Sequence, residues 1–388
     1  MKEQLLQKFK EVFGANGDYH VYFVPGRVNL IGEHTDYNGG YVFPCALTIG
    51  TYAVARKRMD KTLRFFSMNF ENMGVIETSI EQLERKEEND WTNYPKGVLW
   101  TMRNQGFHIE NGMDILIYGN IPNASGLSSS ASLEVLTGFV IRELFRLQIS
   151  LQELALIAQY AENHYNGVNC GIMDQFAVAM GKKDSAIFLN TNDLSYQYVP
   201  VLLEDAKIVI MNTNKKRGLG DSKYNQRRAE CEAALSMLQK VTSINCLCDL
   251  TEEQFEQYQY VIEDPIQHKR AKHAVYENQR TRKAVEALQM NDLALFGQLM
   301  IDSHTSLRDD YEVTGVELDT LVEAALAQAG VIGARMTGAG FGGCAVGIVK
   351  EDALECFIEQ VGKEYQEKIG YAADFYVVEV GDGPVVLN

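Results

Sequence analysis

The sequence predicts an α+β protein of two domains, and three observations carry that reading. At 388 residues the chain exceeds the usual reach of one hydrophobic core. Strand-like and helix-like segments interleave without regular βαβ spacing, which disfavours a doubly wound sheet. The pattern also changes near residue 190, after an apolar run at 187–189 and a polar turn at 190–194. This divides the chain into parts 1–190 and 191–388, with no repeat and no low-complexity linker.

Residues 1–14 form a charged amphipathic segment with Leu5, Leu6, Phe9, Val12 and Phe13 at helical spacing. Strand-like runs follow at 21–24, 41–56 and 114–118. Helices are predicted near 94–105, 133–147 and 151–165, the last with Leu154, Ile157, Ala158 and Ala161 on one face. Beyond residue 190, a strand at 208–211 leads through a basic, glycine-containing loop to helices near 222–239, 269–289, 292–308 and 316–329. Strands at 344–349 and 375–380, with a helix between them, close the chain.

Composition narrows the function classes. A hydrophobic content of 46% with 23% charged residues is ordinary for a folded enzyme. The formal charge of −16 argues against nucleic acid and against an anionic membrane surface. An anionic substrate must then be met by local donors or a metal. The first residues lack a secretory apolar core, and no run is long enough to span a bilayer. Seven scattered cysteines without a second Cys or His pair at zinc spacing read as reduced thiols in a cytoplasmic protein.

Residues 25–40, P-G-R-V-N-L-I-G-E-H-T-D-Y-N-G-G, crowd Arg27, Glu33, His34 and Asp36 among glycines directly after a strand. Acceptors beside an imidazole suit a small polyhydroxylated ligand, since each hydroxyl both donates and accepts. A charged surface loop is the plain alternative. Residues 119–132, G-N-I-P-N-A-S-G-L-S-S-S-A-S, lie between a strand and a helix start. Such a loop can cradle phosphate: Gly126 permits close backbone approach, free N–H groups point outward, and the helix dipole favours an anion. The hydroxyls of Ser128, Ser129 and Ser130 add donors, and one of them can ligate magnesium. It is not a Walker motif, because no G-K-[ST] is present, and a serine-rich N-capping turn remains the alternative.

Glu162 falls near a helix end, where a carboxylate suits Mg²⁺ bridging nucleotide phosphates. Asp174 sits among Ile172, Met173, Phe176, Ala177 and Val178, and an aspartate so flanked needs a partner or a role. His164 reads as structural. The run 267–273, Q-H-K-R-A-K-H, reads as the solvated basic face of a helix, and Lys215-Lys216-Arg217 as a solvated loop that can also steer a nucleotide. The turn R-M-T-G-A-G-F-G-G-C at 335–344 by itself signals only close backbone packing.

Together these segments resemble one family. Residues 25–40 are similar to the galactokinase signature, and G-L-S-S-S-A-S and M-T-G-A-G-F-G-G-C to the second and third motifs of the wider GHMP kinases, in the family's order. The resemblance implies a two-domain GHMP kinase fold: an amino-terminal domain like that of a small-subunit ribosomal protein, a ferredoxin-like second domain, and a cleft between them. It implies transfer of the γ-phosphoryl group of ATP to the 1-hydroxyl of α-D-galactose, with Mg²⁺, by a monomer. Carried onto matching positions, Glu33, His34, Thr35, Asp36 and Tyr224 hold the sugar, and Asp174 with Arg27 beside it as counter-ion serves catalysis. Ala124, Ser125, Gly126, Leu127, Ser128, Ser129 and Ser130 form the triphosphate loop. Ser130 and Glu162 are the magnesium ligands, Ser67 a nucleotide contact, and Trp91 an aromatic residue near the adenine. Whether Asp174 is a base or an electrostatic anchor stays open. An N-acetylgalactosamine kinase and a catalytically silent sensor of galactose and ATP are the rival readings; the sensor predicts a damaged serine loop, which is intact here.

Overall fold

A computed structural model of the chain describes residues 1–122, 126–215 and 220–387. Helix α1 (Lys2–Phe13) lays Leu5, Phe9 and Phe13 against the first sheet, as their spacing predicts. Strands β1 (His20–Asn29), β2 (Tyr41–Val42), β3 (Pro44–Lys57), β4 (Thr62–Ser67), β5 (Ile76–Ser79) and β6 (Met113–Gly119) follow, with α2 (Asn93–Asn104) inserted before β6. Then come α3 (Ser129–Phe145), α4 (Leu151–Ala161), α5 (Met173–Met180), β7 (Ser185–Asn190), β8 (Tyr196–Pro200) and β9 (Ala206–Asn212). The remaining helices are α6 (Gly220–Leu238), α7 (Glu252–Tyr258), α8 (Pro265–Gln289), α9 (Leu293–Ser306) and α10 (Gly315–Leu326). Strands β10 (Val331–Thr337) and β11 (Cys344–Lys350), helix α11 (Leu354–Ile369), β12 (Asp374–Val378) and β13 (Val385–Leu387) complete the chain.

The first sheet has the order β13-β1-β3-β6-β4-β5 and rests on α2 to α5 through a core that includes Val98, Val135, Leu136, Ile157 and Phe176. β1 runs five residues past the predicted 21–24, because β3 supplies a ladder for it. A bulge lies between Pro25 and Arg27, whose partners are Gly50 and Ala46. A bulge re-aims the following side chain, here Arg27. Gly26 fits at that point because a Cβ there would lie 2.9 Å from the Leu127 carbonyl oxygen.

The second main sheet has the order β10-β11-β9-β12, all antiparallel. Counted along the chain that is 4-1-3-2 read from the β12 edge, with helices crossing before β10 and before β12: the ferredoxin-like arrangement. Two strands from beyond residue 190 join the amino-terminal side. β8 pairs with β7, and β13 pairs with β1. A third core binds the two halves, joining Val28, Ile31, Phe43 and Leu127 to Ile208, Ile210, Phe296 and Val346.

The basic run on α8 is not a solvated face, since Arg270 is 2% exposed and His273 is fully buried. Arg270 Nε reaches Glu230 at 2.8 Å and its Nη2 reaches Glu312 at 2.6 Å, while His273 bonds Ser306 and the Glu33 carbonyl. A charge so buried survives only with partners, and single-sequence patterning shows no partners. Lys269 and Lys272 do lie on the wet side. Arg270→Ala is expected to destabilise the fold by about 3 kcal/mol, because it removes a buried cation that joins Glu230, Glu312 and the Asp310 carbonyl and leaves Glu230 only its longer pairing with Arg227. Lys269→Ala is expected to stay within about 0.5 kcal/mol; urea unfolding of the two variants checks the contrast.

Candidate active site

The two halves enclose a cavity of about 430 Å³. Its walls bring together Arg27, Glu33, His34, Asp36, Ser67, Trp91, Gly126, Ser128, Ser129, Ser130, Glu162, Asp174 and Tyr224, which lie as far as 197 positions apart in the chain. The turn 337–343 closes one side. Ala124 and Ser125 lie outside the described residues. Leu127 is buried, and its carbonyl accepts from the Arg27 backbone N–H at 3.2 Å.

Thr35 departs from expectation. It is fully buried and off the cavity wall, and its hydroxyl lies 3.0 Å from the Gly32 carbonyl and 2.8 Å from that of Tyr41. It therefore pins the loop's turn, because Thr35 faces inward where Asp36 faces out. His164 stacks on Tyr160 at 3.9 Å, consistent with a structural residue. Lys215 is no free cation: it pairs with Glu317 at 2.9 Å. Lys216 and Arg217 lie outside the described residues.

Arg27 sits at the centre. Nε and Nη2 lie 2.9 and 2.8 Å from Asp174 Oδ1, and Nη1 donates to the Gly126 carbonyl at 2.6 Å. The other Asp174 oxygen accepts from Ser128 Oγ at 2.5 Å. One carboxylate thus ties the bulged strand, the serine loop and the first turn of α5. Helix α3 begins at Ser129, four residues before its apolar run, so Ser129 and Ser130 are its first turn and their N–H groups have no intrahelical acceptor. Ser128, just before it, holds φ 63°.

Glu162 begins a π-helical turn, Glu162–Asn166, after α4. It accepts from Gln175 Nε2 at 2.5 Å and from Ser130. Burial, and then Asp174, push its carboxyl up to about 7. Glu134, fully buried on α3, faces it and is raised well above the usual carboxylate range by burial and by Glu162. Residue patterning singled out neither Glu134 nor Gln175. A signal existed for Glu134, an acid inside the apolar stretch Leu133-Glu134-Val135-Leu136.

The loop 30–36 is held from α8, α9 and β10. Glu277 Oε1 accepts from the backbone N–H of Gly32 at 3.0 Å and of Glu33 at 3.3 Å, and from Ser303 Oγ at 2.7 Å. Glu33 Oε1 accepts from Gly338 N at 2.7 Å and Thr337 Oγ1 at 3.2 Å, and lies 3.4 Å from Arg335 Nη1. Burial raises the Glu33 carboxyl against the pull of Arg335 and Arg27. Burial, Asp174 and Glu33 push Asp36 up to about 7. Burial, chiefly, takes the His34 imidazole down to about 3, so the ring is neutral. Burial raises the Tyr224 hydroxyl.

Similarity to known proteins converges on one family. The galactokinase galactose-binding signature matches residues 7–57, the GHMP kinases N terminal domain matches 93–182, and the GHMP kinases C terminal domain matches 284–367. Galactokinase of Clostridium beijerinckii is 60% identical over 379 residues, 98% of this chain and 97% of that one. The chain belongs to the galactokinase family. It is a GHMP-type, ATP-dependent sugar kinase. Galactokinase of Enterococcus faecalis is 56% identical over 99% of both chains. A crystal structure of Lactococcus lactis galactokinase complexed with galactose superposes with a TM-score of 0.98 at 51% identity over 100% of both chains. A mevalonate kinase, 17% identical with a TM-score of 0.64, shares the fold.

Glu277 gives a prediction for the loop. Burial would raise its carboxyl, but Arg280, then His273 and Arg335, hold it down to about 2. A carboxyl held below its unfolded value of about 4.3 stabilises the fold above that pH, and the stabilisation is lost as pH falls through the folded value. Glu277→Gln is therefore expected to be less stable by about 2 kcal/mol at neutral pH. The gap to wild type should close toward pH about 2; denaturant unfolding across the acid range checks this.

Proposed function

We propose that this galactokinase-family cleft transfers the γ-phosphoryl group of ATP to the 1-hydroxyl of α-D-galactose, giving galactose 1-phosphate and ADP, with Asp174 and Arg27 at the reacting centre. The observation that carries the residue assignment is the Arg27–Asp174 pair, which lies between the sugar-signature loop and the serine loop. On this reading Glu33, His34, Asp36 and Tyr224 bind the sugar. Gly126 and Ser128 to Ser130, with Ala124 and Ser125, cradle the triphosphate, while Ser67 and Trp91 flank the nucleoside. Residues 1–190 and 191–388 are then two domains that share the cleft, with β8 and β13 crossing the division.

Phosphoryl transfer has a loose, anionic transition state, so positioning and charge stabilisation do most of the work. The first-turn N–H groups of α3 are donors for developing phosphate charge, while the hydroxyls of Ser128 and Ser130 are given to Asp174 and Glu162. Arg27 keeps Asp174 oriented and brings a fixed positive charge to the same point. Asp174 Oδ1 accepts from both Nε and Nη2 of Arg27, but Oδ2, bonded by Ser128, retains a free lone pair, so the carboxylate can still receive the proton of a sugar hydroxyl there. Glu162, with Ser130 bonded to it, is a buried acid facing Glu134 and near Asp174, whose charge Arg27 offsets. A carboxylate and a hydroxyl meeting on the cavity wall form an oxygen donor set that fits a divalent cation, and Ser130 and Glu162 would hold Mg²⁺. Held there, the cation would supply positive charge against the anionic oxygens of the nucleotide.

The protein is further proposed to act as a cytoplasmic monomer. All seven cysteines are free thiols, no described helix is long and apolar enough to cross a membrane, and the acidic surface favours solution.

Asp174→Asn is expected to fold and bind galactose while losing turnover by about 10²–10⁴; near-normal turnover removes Asp174 from the chemistry. Arg27→Ala is expected to lose turnover with most sugar affinity kept, and calorimetric galactose binding beside steady-state rates checks the split. ADP release measured with galactose, N-acetylgalactosamine, glucose and mevalonate, with and without magnesium, is expected to respond to galactose and to need the metal. Preference for N-acetylgalactosamine, or binding without ADP formation, overturns the assignment.

A further inference from the structure

A line of polar side chains runs from the sugar loop into the second half of the molecule behind the cavity wall. His34 Nδ1 lies 2.7 Å from the Tyr37 hydroxyl, which lies 2.8 Å from the Tyr311 hydroxyl, which lies 3.1 Å from Cys231 Sγ. Tyr311 is delivered by a π-helical turn, Leu307–Tyr311, that closes α9, and such turns recur at functional sites. Only His34 of the four lines the cavity. Its Nε2 is buried, faces the Ala339 carbonyl on the cavity wall and makes no close hydrogen bond within the protein. The ring is packed against Tyr311 at 4.7 Å and Tyr224 at 5.7 Å, so it is not free to turn over.

The neutral imidazole carries one proton, and the other ring nitrogen's partner decides where it sits. Between a phenol and a neutral imidazole, the phenol is the better acid and the ring nitrogen the better base, so Tyr37 donates to Nδ1. At the far end a thiol sulfur is a weak acceptor, and Cys231 Sγ is already approached by the Asn38 amide at 3.7 Å, so its S–H points to Tyr311. Tyr311 then has its own proton for Tyr37. Both ends dictate one polarity. We infer that the Cys231–Tyr311–Tyr37 chain fixes His34 as the Nε2–H tautomer, so that His34 meets the sugar as a hydrogen-bond donor and these three are positioning residues for galactose. The inference rests on His34 being a sugar contact.

The long-range ¹H–¹⁵N spectrum of histidine-labelled protein distinguishes the two tautomers at neutral pH. The protein has seven histidines, and His34→Gln identifies the signal. The expected wild-type result is Nε2–H at His34. Tyr311→Phe, whose side chain is off the cavity wall, is expected to give a mixture of tautomers and to raise the galactose KM about fivefold. Its kcat and ATP KM should stay within about twofold. Cys231→Ala should move both readouts in the same direction, and Cys231→Ser, which keeps a donor, should restore them; thermal unfolding shows which variants are folded. An Nδ1–H signal in the wild type overturns the inference. So does an unchanged tautomer and galactose KM in a folded Tyr311→Phe or Cys231→Ala. An unchanged galactose KM in His34→Gln overturns instead the sugar role of His34, whatever the tautomer, so the two failures are separable.

Discussion

Everything at the sugar end depends on one buried carboxylate that belongs to the other half of the chain. Glu277 receives the backbone N–H groups of Gly32 and Glu33, which have no strand partner after β1 ends. Buried backbone donors left without acceptors cost free energy comparable to a lost hydrogen bond each. The loop therefore has its ordered shape only while α8 is docked. Arg335 reinforces the arrangement by spanning the Asn29 carbonyl, Ser303 and Glu33. His273 completes it by reaching the Glu33 carbonyl at 3.1 Å. The shared apolar core of Val28, Phe43, Ile210 and Phe296 keeps these polar groups away from water, which strengthens them.

The reacting centre is built the same way, from pieces that cannot make it alone. Arg27 owes its direction to a bulge in β1, and three of its guanidinium nitrogens are occupied, by Asp174 on α5 and by the Gly126 carbonyl. Three residues other than glycine on the cavity wall, His34, Ser128 and Phe341, hold φ near 60°. This sparsely populated region carries a cost that surrounding structure must offset. Here Asp174 bonds Ser128, Tyr37 bonds His34, and Phe341 donates its N–H to the Val313 carbonyl. Each of these three strained residues is thus held by a hydrogen bond within the protein.

What was legible in the sequence follows a physical rule. Residues whose role is local were visible: Gly26 at a close approach, Gly126 at a left-handed φ of 72°, serines at a helix start, and acids crowded beside glycines. Residues whose role is to meet a distant partner were not. Arg270 read as a wet basic residue because its partners Glu230 and Glu312 lie 40 and 42 positions away. Tyr311 owes its direction to a π-helical turn, and a 3.6-residue periodicity carries no sign of such an inserted residue. Thr35 was misread in the opposite sense. A motif treats its members alike, yet the turn faces Asp36 to the cavity and Thr35 to the carbonyls of Gly32 and Tyr41.

The sequence by itself determined the α+β class, most of the helices and the chemical types at the cleft, because periodicity, turn residues and charge spacing are local properties; strands β4, β5, β8, β10 and β13 were not among those it predicts. The Arg27–Asp174 pair, 147 positions apart, is already an expectation of the sequence analysis; the tertiary structure alone decided that Glu277 and Arg335 hold the sugar loop and that Tyr311 stands behind His34. Those pairings arise only when two half-sites dock around a common core. A buried charge or an oriented imidazole is set by what surrounds it in space, and no spacing along the chain encodes that.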